Sequence, residues 1–194
     1  MIMANELARS PALRNYLLTC RYCMTSKLCL RLLRLFLGTR RDKGIHISID
    51  QPHSYTHMAL KRLGVPQEGL IYIDAISKLT GVRAESSSVR FLSDGFSLPI
   101  LDDVFSRAYL PEGVERYYVK LEDLGFVLVD NVSVALQYAR PEKVMMLMLG
   151  LTNLIKKYTA LRAFLVMEPK SNPDVHQYLR SICDREFSFK DEWL

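Results

Sequence analysis

Four consecutive apolar residues, Phe126 to Val129, followed at once by Asp130 and Asn131, constrain this chain more than any other stretch. An unbroken apolar run that ends on a carboxylate reads as a strand buried on both faces of a parallel sheet, with its polar end at the carboxyl edge. Ligands of open α/β sheets bind outside that edge, so Asp130 and Asn131 stand where chemistry or ligand contact is expected.

The neighbours such a strand requires can be found along the chain. Asn15 to Cys20 has strand composition, and Lys27 to Gly38 reads as a helix stopped by Gly38. Gly44 to Asp50 alternates Ile45, Ile47 and Ile49 with polar residues and also ends on an Asp. Pro52 suits the first turn of a helix that reaches Leu63, before Gly64, and Leu70 to Ile76 is a third strand containing Asp74. Further on come a short strand at Val89 to Leu92, a helix from Ser97 to Tyr109, and a strand or loop at Arg116 to Lys120. Pro141 opens a helix to Tyr158, Arg162 to Met167 is a strand, Pro173 to Ile182 a helix, and Arg185 to Phe189 a final edge strand. This βαβ alternation predicts a three-layer α/β/α sandwich with a mostly parallel central sheet, Phe126 to Val129 in its middle and Asn15 to Cys20 beside it. With 194 residues, 49% of them hydrophobic, one domain spanning 1–194 is expected, residues 1–13 forming an irregular lead that Pro11 interrupts.

Charge is distributed unevenly. Residues 1–43 hold nine Lys or Arg against Glu6 and Asp42, a local +7 in a chain of net +5. Lys27, Arg31 and Arg34 share one helical face by their spacing, which suits a local acidic partner such as phosphate, nucleic acid or a lipid surface, or else a solvated face. Nucleic-acid binding through a few cations, with Tyr22 as one stacking group beside Arg21 and Lys27, is expected to be weak and salt-dependent. No apolar stretch reaches the ~20 residues of a membrane span, Leu28 to Leu37 being broken by Arg31 and Arg34. Arg9, Arg14 and Arg21 interrupt any signal-peptide core, so a cytoplasmic protein with reduced thiols is expected.

Other residues admit two readings each. Cys20 and Cys23 form a C-x-x-C that, with Cys29 and Cys183, either supplies redox or metal chemistry or amounts to ordinary thiols. Asp50, His53 and His57 have the spacing of a three-ligand divalent-metal site, or else His53 is a solvated helix residue and His57 a packed one. Met145, Met146 and Met148 belong either to a core helix or to a soft partner surface.

In order, GIHISIDQPHSY with ALKRLG, LIYIDAISKLTG, FVLVDNVSVALQY and ICDREFSF resemble the KaiC-like branch of the RecA superfamily of P-loop ATPases, over nearly the whole length from Asn15 to Phe189. The resemblance implies ATP and magnesium as cofactors, with Thr25, Ser26 and Lys27 in the phosphate loop, Asp130 at the Walker B position and Asp50 among the catalytic acids. The loop departs from G-x-x-x-x-G-K-[ST]: RYCMTSKL puts Arg21 and Ser26 where glycines belong and Leu28 where the magnesium-binding hydroxyl belongs, retaining Lys27. A tight phosphate nest commonly needs backbone angles that glycine alone adopts without cost. The glutamate pair of these enzymes reads Asp50 and Gln51, and Gln cannot accept a proton. The expectation is an ATPase homologue that has lost hydrolysis, in which Thr25, Ser26, Lys27 and Asp130 are vestigial, and which acts as a regulatory or interaction module through a protein partner or self-association. The alternative is an ATP-binding or weakly hydrolysing enzyme with an atypical loop, in which Asp50 is catalytic.

Overall fold

The computed structural model describes residues 12–40, 42–77, 89–91 and 123–190. The expected helix at 97–109 and the piece at 116–120 lie outside them.

The strands are β1 (Asn15–Thr19), β2 (Lys43–Ser48), β3 (Leu70–Asp74), β4 (Val89–Phe91), β5 (Leu124–Val129), β6 (Arg162–Met167) and β7 (Arg185–Ser188). They form one 7-stranded sheet in the order β4-β3-β2-β5-β6-β1-β7, every pairing parallel. The run at Phe126 to Val129 is central and fully buried. One expectation is corrected: β1 lies between β6 and β7, and β6 separates it from β5. Sequence order does not reveal which crossover returns the chain beside a given strand, because the apolar runs of β1, β5 and β6 are alike in composition.

The helices are α1 (Thr25–Leu33), α2 (His53–Arg62), α3 (Val132–Tyr138), α4 (Pro141–Lys156) and α5 (Pro173–Ile182). β1, β5 and β6 divide their side chains between two layers, as a period of two requires. Tyr16, Leu18, Phe126, Leu128, Phe164 and Val166 meet Leu28, Leu32, Leu33 and Leu60 from α1 and α2. Leu17, Val127, Val129, Ala163 and Leu165 meet Val132, Leu147, Leu151 and Leu179 from α3, α4 and α5. The result is a three-layer α/β/α sandwich.

α1 continues through Arg34–Arg40 as a π-helical segment, so the helix expected to end at Gly38 changes hydrogen-bond register at Arg34. Lys27, Arg31 and Arg34 are all exposed. In α4, Met148 is buried and Met146 exposed, so that helix serves both the core and the surface. Asn172 caps α5, its side chain accepting from Val175 N at 3.0 Å, and Pro173 stands in the first turn, where its missing N–H costs nothing. Among the described residues, no helix is long and apolar enough to cross a membrane.

Candidate functional site

At the carboxyl edge, the segments leaving β1, β2 and β5 converge. The segment after β1 is a tight 3-10 turn, Tyr22–Met24, in which Met24 N donates to Arg21 O at 2.9 Å. It leads directly into α1, and the Thr25 hydroxyl donates back to Tyr22 O at 2.9 Å. The non-glycine positive φ among the described residues belongs to Asn131, at 45°, so residues 20–27 contain no left-handed position. That angle at Asn131 turns the chain from β5 straight into α3. Asn is among the few non-glycine residues that adopt the left-handed region at modest cost.

Asp130 is 8% exposed and holds the neighbouring loop in place. Its Oδ1 accepts from Ile49 N at 2.6 Å and Asp50 N at 3.2 Å, while Oδ2 lies 3.4 Å from His46 Nε2. Asp50 is engaged as well: Tyr22 donates its hydroxyl at 3.2 Å, and Asn131 donates Nδ2 at 3.2 Å. Burial, and then the Asp50 carboxylate, push the Tyr22 phenol above its ordinary value, so it remains a donor at neutral pH. The same Asn131 amide lies 3.5 Å from Thr25 Oγ1, and Gln51 Nε2 reaches Ser26 Oγ at 3.5 Å. Asn131 is fully buried and its Oδ1 has no partner among the described residues. Reversing the amide would set that oxygen against the Asp50 carboxylate.

Thr25, Ser26, Asp50 and Asp130 therefore line one cleft, together with Gln51 and Asn131. Lys27 is exposed on the next position of α1 and does not line it. The enclosed space is about 60 Å³, far below the roughly 300–1,000 Å³ of small-molecule pockets. Leu28, at the position of the expected hydroxyl, is buried in the core.

The three candidate metal ligands are not brought together. His53 Nδ1 lies 2.7 Å from Asp74 Oδ2, Asp50 holds Tyr22 and Asn131, and His57 is exposed with its ring edge toward Tyr72. Among the described residues, no three His, Cys, Asp or Glu side chains gather to hold a metal. All four cysteines are free. Burial, with Cys23 and Glu168 adding to it, pushes the Cys20 thiol up to about 11, and burial likewise pushes Cys183 to about 12. Both are neutral at pH 7, and a neutral thiol is a poor nucleophile and a poor metal ligand. Sequence reasoning gave no sign of the Asp74 cluster, in which one buried carboxylate takes His53 and Ser77; the only available hint was a polar residue ending an apolar strand.

No protein-family model matches the chain, and no curated protein matches it. Solved structures do share its fold. An uncharacterized protein from Pyrococcus horikoshii, crystallised in complex with an unknown peptide, superposes with a TM-score of 0.68 at 16% identity, over 96% of this chain and 82% of that one. A KaiC-like protein from Pyrococcus horikoshii OT3 gives 0.59 at 11%, over 92% and 74%. Flagellar accessory protein FlaH from Methanocaldococcus jannaschii gives 0.55 at 12%, over 94% and 76%. At identities this low, the superpositions establish a shared three-layer α/β/α fold.

Proposed function

We propose that this chain is a KaiC-like ATPase homologue, a single domain, that no longer hydrolyses ATP and serves as a regulatory or protein-interaction module. The observation that carries the reading is that the cleft's two carboxylates are already engaged by neighbouring groups of the chain. Tyr22, Asn131 and Asp50 form one hydrogen-bonded set, Asp130 holds the backbone of residues 49 and 50, and Gln51 Nε2 lies 3.5 Å from Ser26 Oγ.

The residues present do not fit a nucleotide with its magnesium. A loop without a left-handed position turns few N–H groups toward one point, and the buried Leu28 offers no metal ligand. Gln51 cannot take a proton, and Asp50 already accepts from two neighbours. A role in protein binding accords with the peptide found on the structurally similar Pyrococcus protein.

Calorimetric titration of ATP, with and without magnesium, is expected to give no heat of binding, and phosphate release is expected to stay at background in both the wild type and Lys27→Ala. The competing reading is an atypical-loop ATPase using Lys27, Asp130 and Asp50, with Lys27 kept exposed in the first turn of α1. Magnesium-dependent hydrolysis abolished by Lys27→Ala or Asp130→Ala would establish that reading instead.

Asp130→Ala also tests how the loop after β2 is held. It leaves Ile49 N and Asp50 N without their acceptor, so urea unfolding should show a loss of about 1–3 kcal/mol. An unchanged denaturation midpoint would mean that Asp130 is not holding this loop.

A further inference from the structure

The layer formed by α1 and α2 differs in charge from the layer on the opposite face of the sheet. Residues 25–40 and 53–62, which build it, include no Asp or Glu. Lys27, Arg34, Lys61 and Arg62 are exposed on it, and none of the four is ion-paired among the described residues. Arg31 is exposed on the same helix. The opposite layer mixes its signs: Glu142 precedes Lys143 on α4, α5 carries both Asp174 and Arg180, and Arg180 reaches Glu186 at 3.3 Å. Among the described residues, the cationic character is therefore concentrated on one face and does not follow merely from a basic composition.

Large apolar side chains are exposed among these cations. Tyr55 is 64% exposed, Met58 53% and Leu63 50%, the first two on α2 and the third at its end, beside Lys61 and Arg62. The spacing of three from Tyr55 to Met58, followed by Lys61 and Arg62, keeps all of them on the arc of α2 turned away from the buried His53 and Leu60.

We propose that the outer face of the α1–α2 layer docks on an anionic lipid surface. Phosphate headgroups attract the Lys and Arg side chains, whose flexible stems let the charge stay at headgroup level. Tyr55, Met58 and Leu63 enter the boundary just beneath, gaining apolar burial that water denies them. A nucleic-acid backbone complements the same charges but offers Met58 and Leu63 nothing apolar to meet, so the exposed apolar set favours a bilayer. The proposal does not depend on whether the carboxyl-edge cleft takes a nucleotide: Tyr55 also borders that cleft, but Met58, Lys61, Arg62 and Leu63 do not.

Co-sedimentation of the full chain with vesicles tests it. Binding is expected to vesicles containing phosphatidylglycerol, to weaken as salt is raised, and to be absent from pure phosphatidylcholine. Lys61→Glu with Arg62→Glu should lower partitioning more than about tenfold, because each lost cation near such a surface is worth roughly fivefold. Met58→Asp should lower it several-fold without removing a cation. Lys143→Glu with Lys156→Glu changes the net charge equally on the exposed side of α4 and should leave partitioning within about twofold. Circular dichroism checks that each variant is folded. Failure to bind phosphatidylglycerol vesicles at low salt overturns the proposal, as does an equal loss in the α4 control. So does a DNA duplex retarded in a gel by the wild type but not by the α2 variants, if the vesicles are ignored; the face would then be a nucleic-acid surface.

Discussion

Asp74→Ala should be among the most destabilising substitutions in this chain, removing about 4 kcal/mol of a total that for a domain of this size is about 5–15 kcal/mol. The carboxylate is fully buried at the end of β3 and serves as acceptor to an unusual number of donors. Its Oδ2 receives His53 N at 2.8 Å and Ser77 Oγ at 2.6 Å, and lies 2.7 Å from His53 Nδ1. Its Oδ1 receives Ser77 N at 2.7 Å and Ile76 N at 3.0 Å. Truncation strands these donors in a place water does not reach, and each stranded donor costs about 1–3 kcal/mol before the site relaxes. The acid limb gives an independent check. Burial alone would raise the Asp74 carboxyl, but hydrogen bonds from Ser77 and His53 outweigh it and hold it below its ordinary value. A depressed carboxyl contributes stability above its unfolded value, roughly 3.9, and loses that contribution as pH falls through the folded value. The difference between wild type and Asp74→Ala in urea unfolding should therefore be full at pH 7 and shrink below about pH 4. A difference under about 1 kcal/mol, or one that does not change with acid, would show that the cluster is not what holds β3 to α2.

The buried strands were legible because two-sided burial leaves an unbroken apolar run, as in FVLV of β5 and RAFLVM of β6. α3 was not legible. VSVALQY mixes β-branched with helix-forming residues over only seven positions, and what makes it helical is the left-handed turn at Asn131 and the burial of Val132 and Ala135. The π-helical register after Leu33 leaves no mark in the spacing of the leucines, since it shifts hydrogen bonds while the same faces stay buried. At the site, strand ends placed Asp50 and Asp130 at one edge, and the resemblance placed Thr25, Ser26 and Lys27 near them. Nothing in the sequence showed that Asn131 and Tyr22 would take up Asp50, because those contacts join residues 81 and 28 positions apart. The spacing of His53 and His57 suggested a metal, but the His53 ring is committed to Asp74, and helical spacing alone cannot report where a ring points.

Gly44→Ala should cost about 1–3 kcal/mol, although strands usually gain from replacing a glycine. β2 and β5 are the strands that deliver Asp50 and Asp130, and their register slips once: Lys43 faces Leu124 whereas Gly44 faces Phe126, so Gly125 is passed over. That brings the Phe126 ring against Gly44. A methyl group there would sit 2.4 Å from two ring carbons, closer than any real contact. The ring has little freedom to yield, being fully buried and stacked on Phe36 at a centroid distance of 4.7 Å, and Phe36 in turn lies 4.9 Å from Phe164. Relief must come from spreading β2 and β5 or from disturbing this aromatic row, and cores resist both because they are close-packed. A double-mutant cycle isolates the cause. Phe126→Leu alone should destabilise by leaving a cavity, whereas Gly44→Ala combined with Phe126→Leu should be less destabilising than the sum of the two, with a coupling of about 1 kcal/mol or more. Strict additivity in urea unfolding would place the cost of the methyl somewhere other than the ring. A neutral or stabilised Gly44→Ala would mean that the β2–β5 pairing accommodates a side chain at the point where the structure closes it.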